Sequence, residues 1–152
     1  MPDDAQKWPD LTSGEEDITN SKDVCFRNVH PEFITNGTVS SQAFRPSDND
    51  NGQLSTARSS KVGAQQHYQE FTHFGHKSAG VYQISTNDIQ EAGLRWVDNE
   101  ANQEESLHMT GHAYLDYRIY SNSQIKKKAR NLSRKATIAF RAPAGNTDAP
   151  ND

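Results

Sequence analysis

Residues 111–136 read GHAYLDYRIYSNSQIKKKARNLSRKA, and this stretch contains the two patterns that decide the fold class. The run 112–117 alternates in the manner of a strand, whose successive side chains point to opposite faces of a sheet. Ser121 or Ser123 can then cap a helix. On one face of that helix, apolar residues recur at spacings of four, three and four: Ile125, Ala129, Leu132 and Ala136. A strand followed by an amphipathic helix predicts a domain in which helices pack against a sheet.

The same two signals recur earlier in the chain. Further strands are predicted at 24–29, 38–45, 54–58, 80–84 and 94–97. A second amphipathic helix is predicted after Ser59 or Ser60, and residues 87–92 predict a short helical turn. The expected fold is therefore α+β, with a small, mostly antiparallel or mixed sheet of five or six short strands and two main helices, at about 60–75 and 122–137.

Composition limits the size of the ordered part. The chain has 152 residues, of which 32% are apolar and 24% charged, so the folded core must be smaller than the whole. We expect a disordered acidic tail over 1–20, one α+β domain over 21–141 and a second disordered tail over 142–152. Trp8 and Leu11 are the apolar exceptions in the first tail, and they could dock on the domain or on a partner.

Charge is segregated along the chain. Residues 1–23 carry seven acidic and two basic side chains, and residues 99–117 carry four acidic and none that is basic. Residues 118–152 carry eight basic and two acidic side chains. Within this basic third, weak candidates for nucleic-acid binding are Lys126, Lys127, Arg130 and Arg134, with Tyr114, Tyr117 and Tyr120 nearby for base stacking. The alternative is a solvated helix whose charges pair with the acidic tail or with the loop 98–107.

Several classes of protein are disfavoured by the sequence. It contains no run of about 18 apolar residues and no charged-then-apolar leader, so we expect a soluble, cytoplasmic protein that does not interact with membranes. The single Cys25 cannot form an internal disulfide, and its apolar neighbours predict a small buried side chain rather than a reactive thiolate.

Neither a metal nor a cofactor is expected. The six histidines include His108 and His112 at a spacing of four, but Gly111 and the alternation after it predict a loop entering a strand rather than a helix. The glutamate that such zinc motifs require beside His108 is absent. The sequence also contains no phosphate-cradling glycine loop and no dinucleotide fingerprint.

Residues with chemical potential cluster near the ends of the first strands. Arginine suits a phosphate because its planar fork binds two oxygens at once, and histidine moves protons near neutral pH. We predict ligand binding by Arg27, Arg45 and Arg58, and catalytic roles for His30, Ser55 and His112. The alternative is that the arginines are solvated or ion-paired strand residues and that His30 hydrogen-bonds the turn before a proline.

An ordered pattern in this region resembles that of a set of small bacterial proteins with no established activity. The segments that carry it are RNVHP (27–31), GTVSSQAFRP (37–46), LS (54–55) and SAGV (78–81). The resemblance spans roughly 24–140 and implies a bacterial protein, but it brings no activity with it.

A second, fainter similarity is to ADP-ribosyltransferase-like domains, which use an early Arg or His, a central Ser-Thr strand and a late Glu. Arg27 or His30 would take the first place, and Ser55-Thr56 the second. The late glutamate has no counterpart, because the acidic residues of 100–105 fall in a polar loop and His112 opens the next strand instead.

Two functions remain open. One is a phosphate- or nucleotide-recognising domain that could act on a nucleotide or an RNA end through the arginine, histidine and serine cluster. The other is a non-catalytic interaction module, such as a partner or immunity-type protein, that docks through its acidic loop and its basic helix.

Overall fold

A computed structural model describes residues 8–103 and 108–143 of the protein. In this part of the chain the strands are β1 (Glu16–Asp17), β2 (Val24–Asn28), β3 (Ile34–Thr35), β4 (Thr38–Val39), β5 (Gln53–Arg58), β6 (Gly80–Ser85), β7 (Arg95–Asp98), β8 (His112–Asp116) and β9 (Thr137–Arg141). The α-helices are α1 (Ala64–His73), α2 (Thr86–Glu91) and α3 (Asn122–Lys135). Seven strands form one antiparallel sheet in the order β1-β7-β8-β5-β2-β6-β9, and β3 and β4 form a separate hairpin.

The α+β class and the mainly antiparallel sheet are confirmed, and both main helices lie near their expected places. The sheet has more strands than predicted because β1 and β9 form its two edges. The strand predicted at 38–45 is mostly wrong. Its second half forms a 3₁₀ turn over Ser41–Phe44, because the Ser40 side chain accepts a hydrogen bond from the backbone of Gln42 and caps the turn.

The structure confirms the predicted cap of α3 and corrects the predicted cap of α1. Ser121 caps α3 in a reciprocal box with Gln124, as its position suggests. Ser59 and Ser60 instead hydrogen-bond the carboxylate of Asp23. With those serines engaged, α1 begins four residues later than Ser60, at Ala64.

The sheet is covered on both faces. On one face α2 and α3 contribute side chains to the larger apolar cluster, including Ile89, Ala129 and Leu132. On the other face α1 contributes Tyr68 to a smaller cluster with Phe26 of β2. The sheet is thus a middle layer between α3 and α1, and only a site at a strand end or in a gap of the sheet can open to solvent.

The N-terminal segment is part of this fold from residue 8 onward. Strand β1 pairs with β7, and Ile18 is buried. Trp8 docks edge-on against Tyr120 at 5.9 Å and under the guanidinium of Arg95 at 5.2 Å. Residues 8–20 therefore contact the rest of the domain, whereas the composition predicts a disordered tail. Within this segment, Trp8 acts as an anchor on the domain.

The predicted C-terminal tail also begins with packed residues, since Ala142 is buried. Residues 1–7 and 144–152, which make up the rest of the two predicted tails, lie outside the described residues. In the part of the chain that is described, no helix is long and apolar enough to cross a membrane.

Candidate functional site

The site begins where the sheet divides. The two central strands, β2 and β5, pair only at Cys25 with Arg58 and Phe26 with Ala57. Beyond those pairs, β2 continues beside β6 and β5 continues beside β8. The sheet thus splits into two halves from residue 27 of one strand and residue 56 of the other.

Arg27 bridges this split. Its Nε donates to the carbonyl oxygen of Ala43 at 2.9 Å, and Nη1 donates to the carbonyl oxygen of Ser55 at 3.0 Å. The planar fork carries further N–H donors, which have no partner among the described residues. Burial lowers the pKa of the guanidinium, and the carboxylate of Asp50 opposes that effect. Arginine stays charged even so, and Arg27 is therefore a cation with a fixed orientation.

A cavity of about 480 Å³ lies over the split. That volume falls within the range of small-molecule sites in proteins. Its lining residues come from β2, β5, α1, the turn after α1 and the segment leading into β8: Arg27, Asn28, Ser55, Thr56, His67, Phe71, Phe74, His76, Met109 and His112. No lining residue in the described part of the chain is acidic. The cavity consequently offers one cation, several hydrogen-bonding groups and a large apolar wall.

His112 enters the cavity as an uncharged base. Its Nδ1 lies 2.7 Å from Oδ1 of Asn99. Because an amide oxygen can only accept, Nδ1 carries the proton and Nε2 is an acceptor. Burial lowers the pKa of His112 to about 4, although the carboxylates of Asp98 and Glu100 oppose the shift. At neutral pH the ring is therefore neutral, with Asn99 fixing its tautomer.

His67 is the second neutral imidazole, and it is only 5% exposed. Burial lowers the pKa of His67 to about 4. The carboxylate of Glu70 opposes this shift, and positive charge on His112 and on Arg27 adds to it. Its Nδ1 is buried without a partner among the described residues. A buried N–H is rarely left unpaired, so the proton resides on Nε2. The cavity thus has one imidazole that donates and one that accepts.

The segment before β8 is held in place by two side chains. The amide of Gln103 brackets Met109, accepting from its N–H and donating to its carbonyl oxygen, both at 2.9 Å. Glu70 of α1 accepts from the backbone N–H of Thr110 at 2.9 Å and from its hydroxyl at 2.8 Å. These contacts fix Met109 on the cavity wall and attach this segment to α1.

Arg27, Ser55 and His112 are the predicted site residues that the structure brings together. His30 is not in the cavity; its Nδ1 accepts from the backbone of Glu32 and caps a 3₁₀ turn. This is the local role that the proline after His30 suggests. Arg45 lies in a separate recess that it shares with Lys126.

Arg58 is committed to ion pairs and is not free to bind a ligand. Its Nε lies 2.7 Å from Asp23 and its Nη1 lies 2.6 Å from Asp98. Both carboxylates are buried, and their hydrogen bonds outweigh burial and keep their pKa values below the ordinary range. The network ties β5 to the segment before β2 and to the end of β7.

The basic third is only partly neutralised by contacts within the protein. Lys135 pairs with Asp88, Arg118 pairs with Asp116, and Lys128 donates to the carbonyl oxygen of Ala92. The four candidate nucleic-acid residues are exposed on α3: Lys126, Lys127, Arg130 and Arg134. The expected stacking platform is not formed, because two of the three tyrosines, Tyr114 and Tyr117, are buried and Tyr120 packs against Trp8.

Several lining residues were not predicted from the sequence. Phe71 and Phe74 repeat at helical spacing, which is typical of the buried face of an amphipathic helix rather than of a binding site. Phe74 is 37% exposed, which is unusual for a large apolar side chain at the end of a core stripe. His67 gives a weaker signal, as the one histidine within that stripe.

The buried position predicted for Cys25 is confirmed. Cys25 is fully buried, and burial raises the pKa of its thiol to about 12, so it is not nucleophilic at neutral pH. Within the described residues, no three histidine, cysteine or carboxylate side chains are grouped as metal ligands would be.

None of the protein-family models, curated proteins and solved structures that were compared with the chain matches it. The function has to be argued from the site itself.

Proposed function

We propose that the cavity binds a nucleotide, with a phosphate on Arg27 and the ring on the apolar wall. The observation that carries the proposal is the state of Arg27. Its guanidinium is anchored by two carbonyl oxygens and lines a cavity with no carboxylate on the described wall. A partly buried cation that forms no ion pair with the described residues, and has only the more distant carboxylate of Asp50 acting on it, favours an anionic ligand. A fixed arginine fork suits the oxygens of a phosphate.

The rest of the wall suits a flat ring. Phe71 stacks on His76 with ring centroids 4.7 Å apart, and Phe74 and Met109 complete an apolar surface beside them. Aromatic rings and thioethers bind the faces of planar heterocycles well. The donor and acceptor imidazoles of His67 and His112 can pair with the edge of such a ring or with a ribose hydroxyl.

His112 can contact the same ligand. Its Nε2 is the acceptor that Asn99 leaves free, so it would accept a hydrogen bond from a ribose hydroxyl beside the phosphate. A pKa of about 4 makes this base weak in the empty site. A bound phosphate raises that pKa, because a nearby negative charge favours the imidazolium.

The resemblance to ADP-ribosyltransferase-like domains supports the same class of ligand. Arg27 and Ser55-Thr56, which would take the first two places in that resemblance, all line the cavity, whereas His30, the alternative for the first place, does not. His112 lines it too, at the start of the strand where those domains carry a glutamate. Dinucleotides therefore belong among the ligands to be tested.

A thermal-shift screen tests the proposal. The panel is inorganic phosphate, the four 5′-mononucleotides, their nucleosides, NAD and a short RNA. A ligand at 100 times its Kd adds about 2.7 kcal/mol to the stability of the native state. For a domain of this size that is a rise in Tm of roughly 5 to 10 °C. The variant is Arg27→Lys, which keeps a charge but loses the fork, and the matched control is the exposed Lys22→Ala.

A nucleotide-specific shift that Lys22→Ala retains and Arg27→Lys loses would support the proposal. If no member of the panel shifts the wild-type Tm, the cavity does not bind nucleotides, and the interaction module becomes the better hypothesis. Equal shifts in wild type and Arg27→Lys would mean that the ligand binds elsewhere.

A further inference from the structure

A series of cations extends from the turn that holds Arg27 to the exposed face of α3. Arg27 donates to the carbonyl oxygen of Ala43, and Arg45 comes two residues later. Arg45 then shares a recess of about 400 Å³ with Lys126, at the beginning of α3. Neither cation forms an ion pair with the described residues, although Asp48 lies on the wall of the same recess.

From Lys126 the helix continues the series. Arg130 and Arg134 follow at intervals of four residues, each about 6 Å further along the axis and on nearly the same face. Both are exposed, and neither forms an ion pair with the described residues. The helix thus presents a row of free positive charge in a protein whose net charge is −4.

We propose that this row, Arg45, Lys126, Arg130 and Arg134, binds the phosphate backbone of single-stranded RNA whose terminal nucleotide lies in the cavity. The inference rests on the proposed function, since it takes the cavity ligand as the end of a longer chain. RNA is favoured over an acidic protein because the row leads from the residue that would hold a nucleotide phosphate, and regularly spaced single cations suit regularly spaced phosphates.

The burial of two tyrosines near the row determines whether RNA binding depends on base sequence. Because Tyr114 and Tyr117 cannot stack on bases, the row contacts phosphates and does not read sequence. Four phosphate contacts on a single strand give a log–log salt slope of about −2.8. The affinity for RNA should then fall about 50-fold between 50 and 200 mM salt when all four contacts are present. With two of the contacts removed, it should fall about sevenfold over the same range of salt.

The experiment measures the fluorescence anisotropy of a 12-nucleotide RNA of mixed sequence, with the dye placed at each end in turn. The test variant is Lys126→Gln with Arg130→Gln. The matched control is Lys22→Gln with Arg141→Gln, which removes the same charge at exposed positions outside the row. The full-length protein is used throughout, and AMP binding is followed in parallel by thermal shift.

We expect the test variant to bind RNA at least tenfold more weakly than the wild type at 50 mM salt, with about half the salt slope. The control variant should bind RNA as the wild type does, and the thermal shift caused by AMP should be the same in all three proteins. Equal weakening in both variants would overturn it, because the binding would then depend on net charge alone. Competition by polyglutamate or phosphatidylserine vesicles as strong as that by RNA would overturn it in favour of another acidic partner. RNA binding through the row without any AMP binding would refute the proposed cavity function and leave the helix surface standing.

Discussion

Lowering the pH from 7 to 5 should destabilise the empty protein through two histidines. Burial lowers the pKa of both His67 and His112 to about 4, against 6.5 for an ordinary histidine. Between those values the unfolded chain binds protons that the native state excludes. The stability that depends on these neutral rings is therefore complete above about pH 6.5 and is lost as the pH falls toward 4.

The size of the effect follows from the two shifts. For His67, which is only 5% exposed, the loss between pH 7 and pH 5 is about 2 kcal/mol. For His112 it is smaller, because that ring is half-buried in an open cavity, and the pair should lose about 3 kcal/mol in total. The buried carboxylates add little in this range, since their pKa values lie below the ordinary acidic values.

Urea unfolding at pH 7 and pH 5 measures this loss directly. The readout is the difference between the two free energies within each protein, so a variant that is less stable overall remains informative. His67→Gln should remove about half or more of the pH difference, and exposed His73→Gln should leave it unchanged. A wild-type difference below about 0.5 kcal/mol, or the full difference retained in His67→Gln, would refute the assignment of neutral buried imidazoles.

Three further predictions concern the structure that supports the site. Arg58→Met leaves buried Asp23 and Asp98 without their guanidinium partner and should cost about 3 to 5 kcal/mol in urea unfolding. Lys61→Met removes an exposed ammonium that also contacts Asp98, and it should cost less than about 1 kcal/mol. Gly80→Ala should lower the free energy of unfolding by more than about 2 kcal/mol in the same assay. The reason is that Gly80 has a φ of +141° and an added Cβ would collide with a carbonyl oxygen of β9. An unchanged urea midpoint would contradict that contact. Glu70→Ala should speed hydrogen exchange of the Thr110 amide by about 10-fold or more, and an unchanged rate would show that the segment is held otherwise.

The elements that the sequence predicts well are those with repeated local signals. The apolar stripe and serine cap of α3 fix that helix because both depend on neighbouring residues. Strand β8 is equally local in its alternation. Edge strand β9 has no such pattern, since it is half exposed on both faces and owes its conformation to pairing with β6.

The candidate site could be predicted only in part, for a related reason. Arg27, Ser55 and His112 are identifiable as arginine, serine and histidine at strand ends, which is a local property. Their meeting depends on the split between β2 and β5, and no single segment encodes that divergence. In the sequence, Arg58 cannot be distinguished from Arg27. Only the tertiary structure shows that Arg58 forms ion pairs with Asp23 and Asp98, whereas Arg27 forms no ion pair with the described residues.

The most direct test of the central claim is a calorimetric cycle that removes the phosphate and the guanidinium in turn. AMP and adenosine are titrated into the wild type and into Arg27→Gln, whose amide can still donate to one of the two carbonyl oxygens. We expect the wild type to bind AMP at least tenfold more tightly than adenosine, a difference of about 1.4 kcal/mol, and Arg27→Gln to bind both equally. If Arg27→Gln keeps the full preference for AMP, the phosphate is not on Arg27 and the proposed site is wrong.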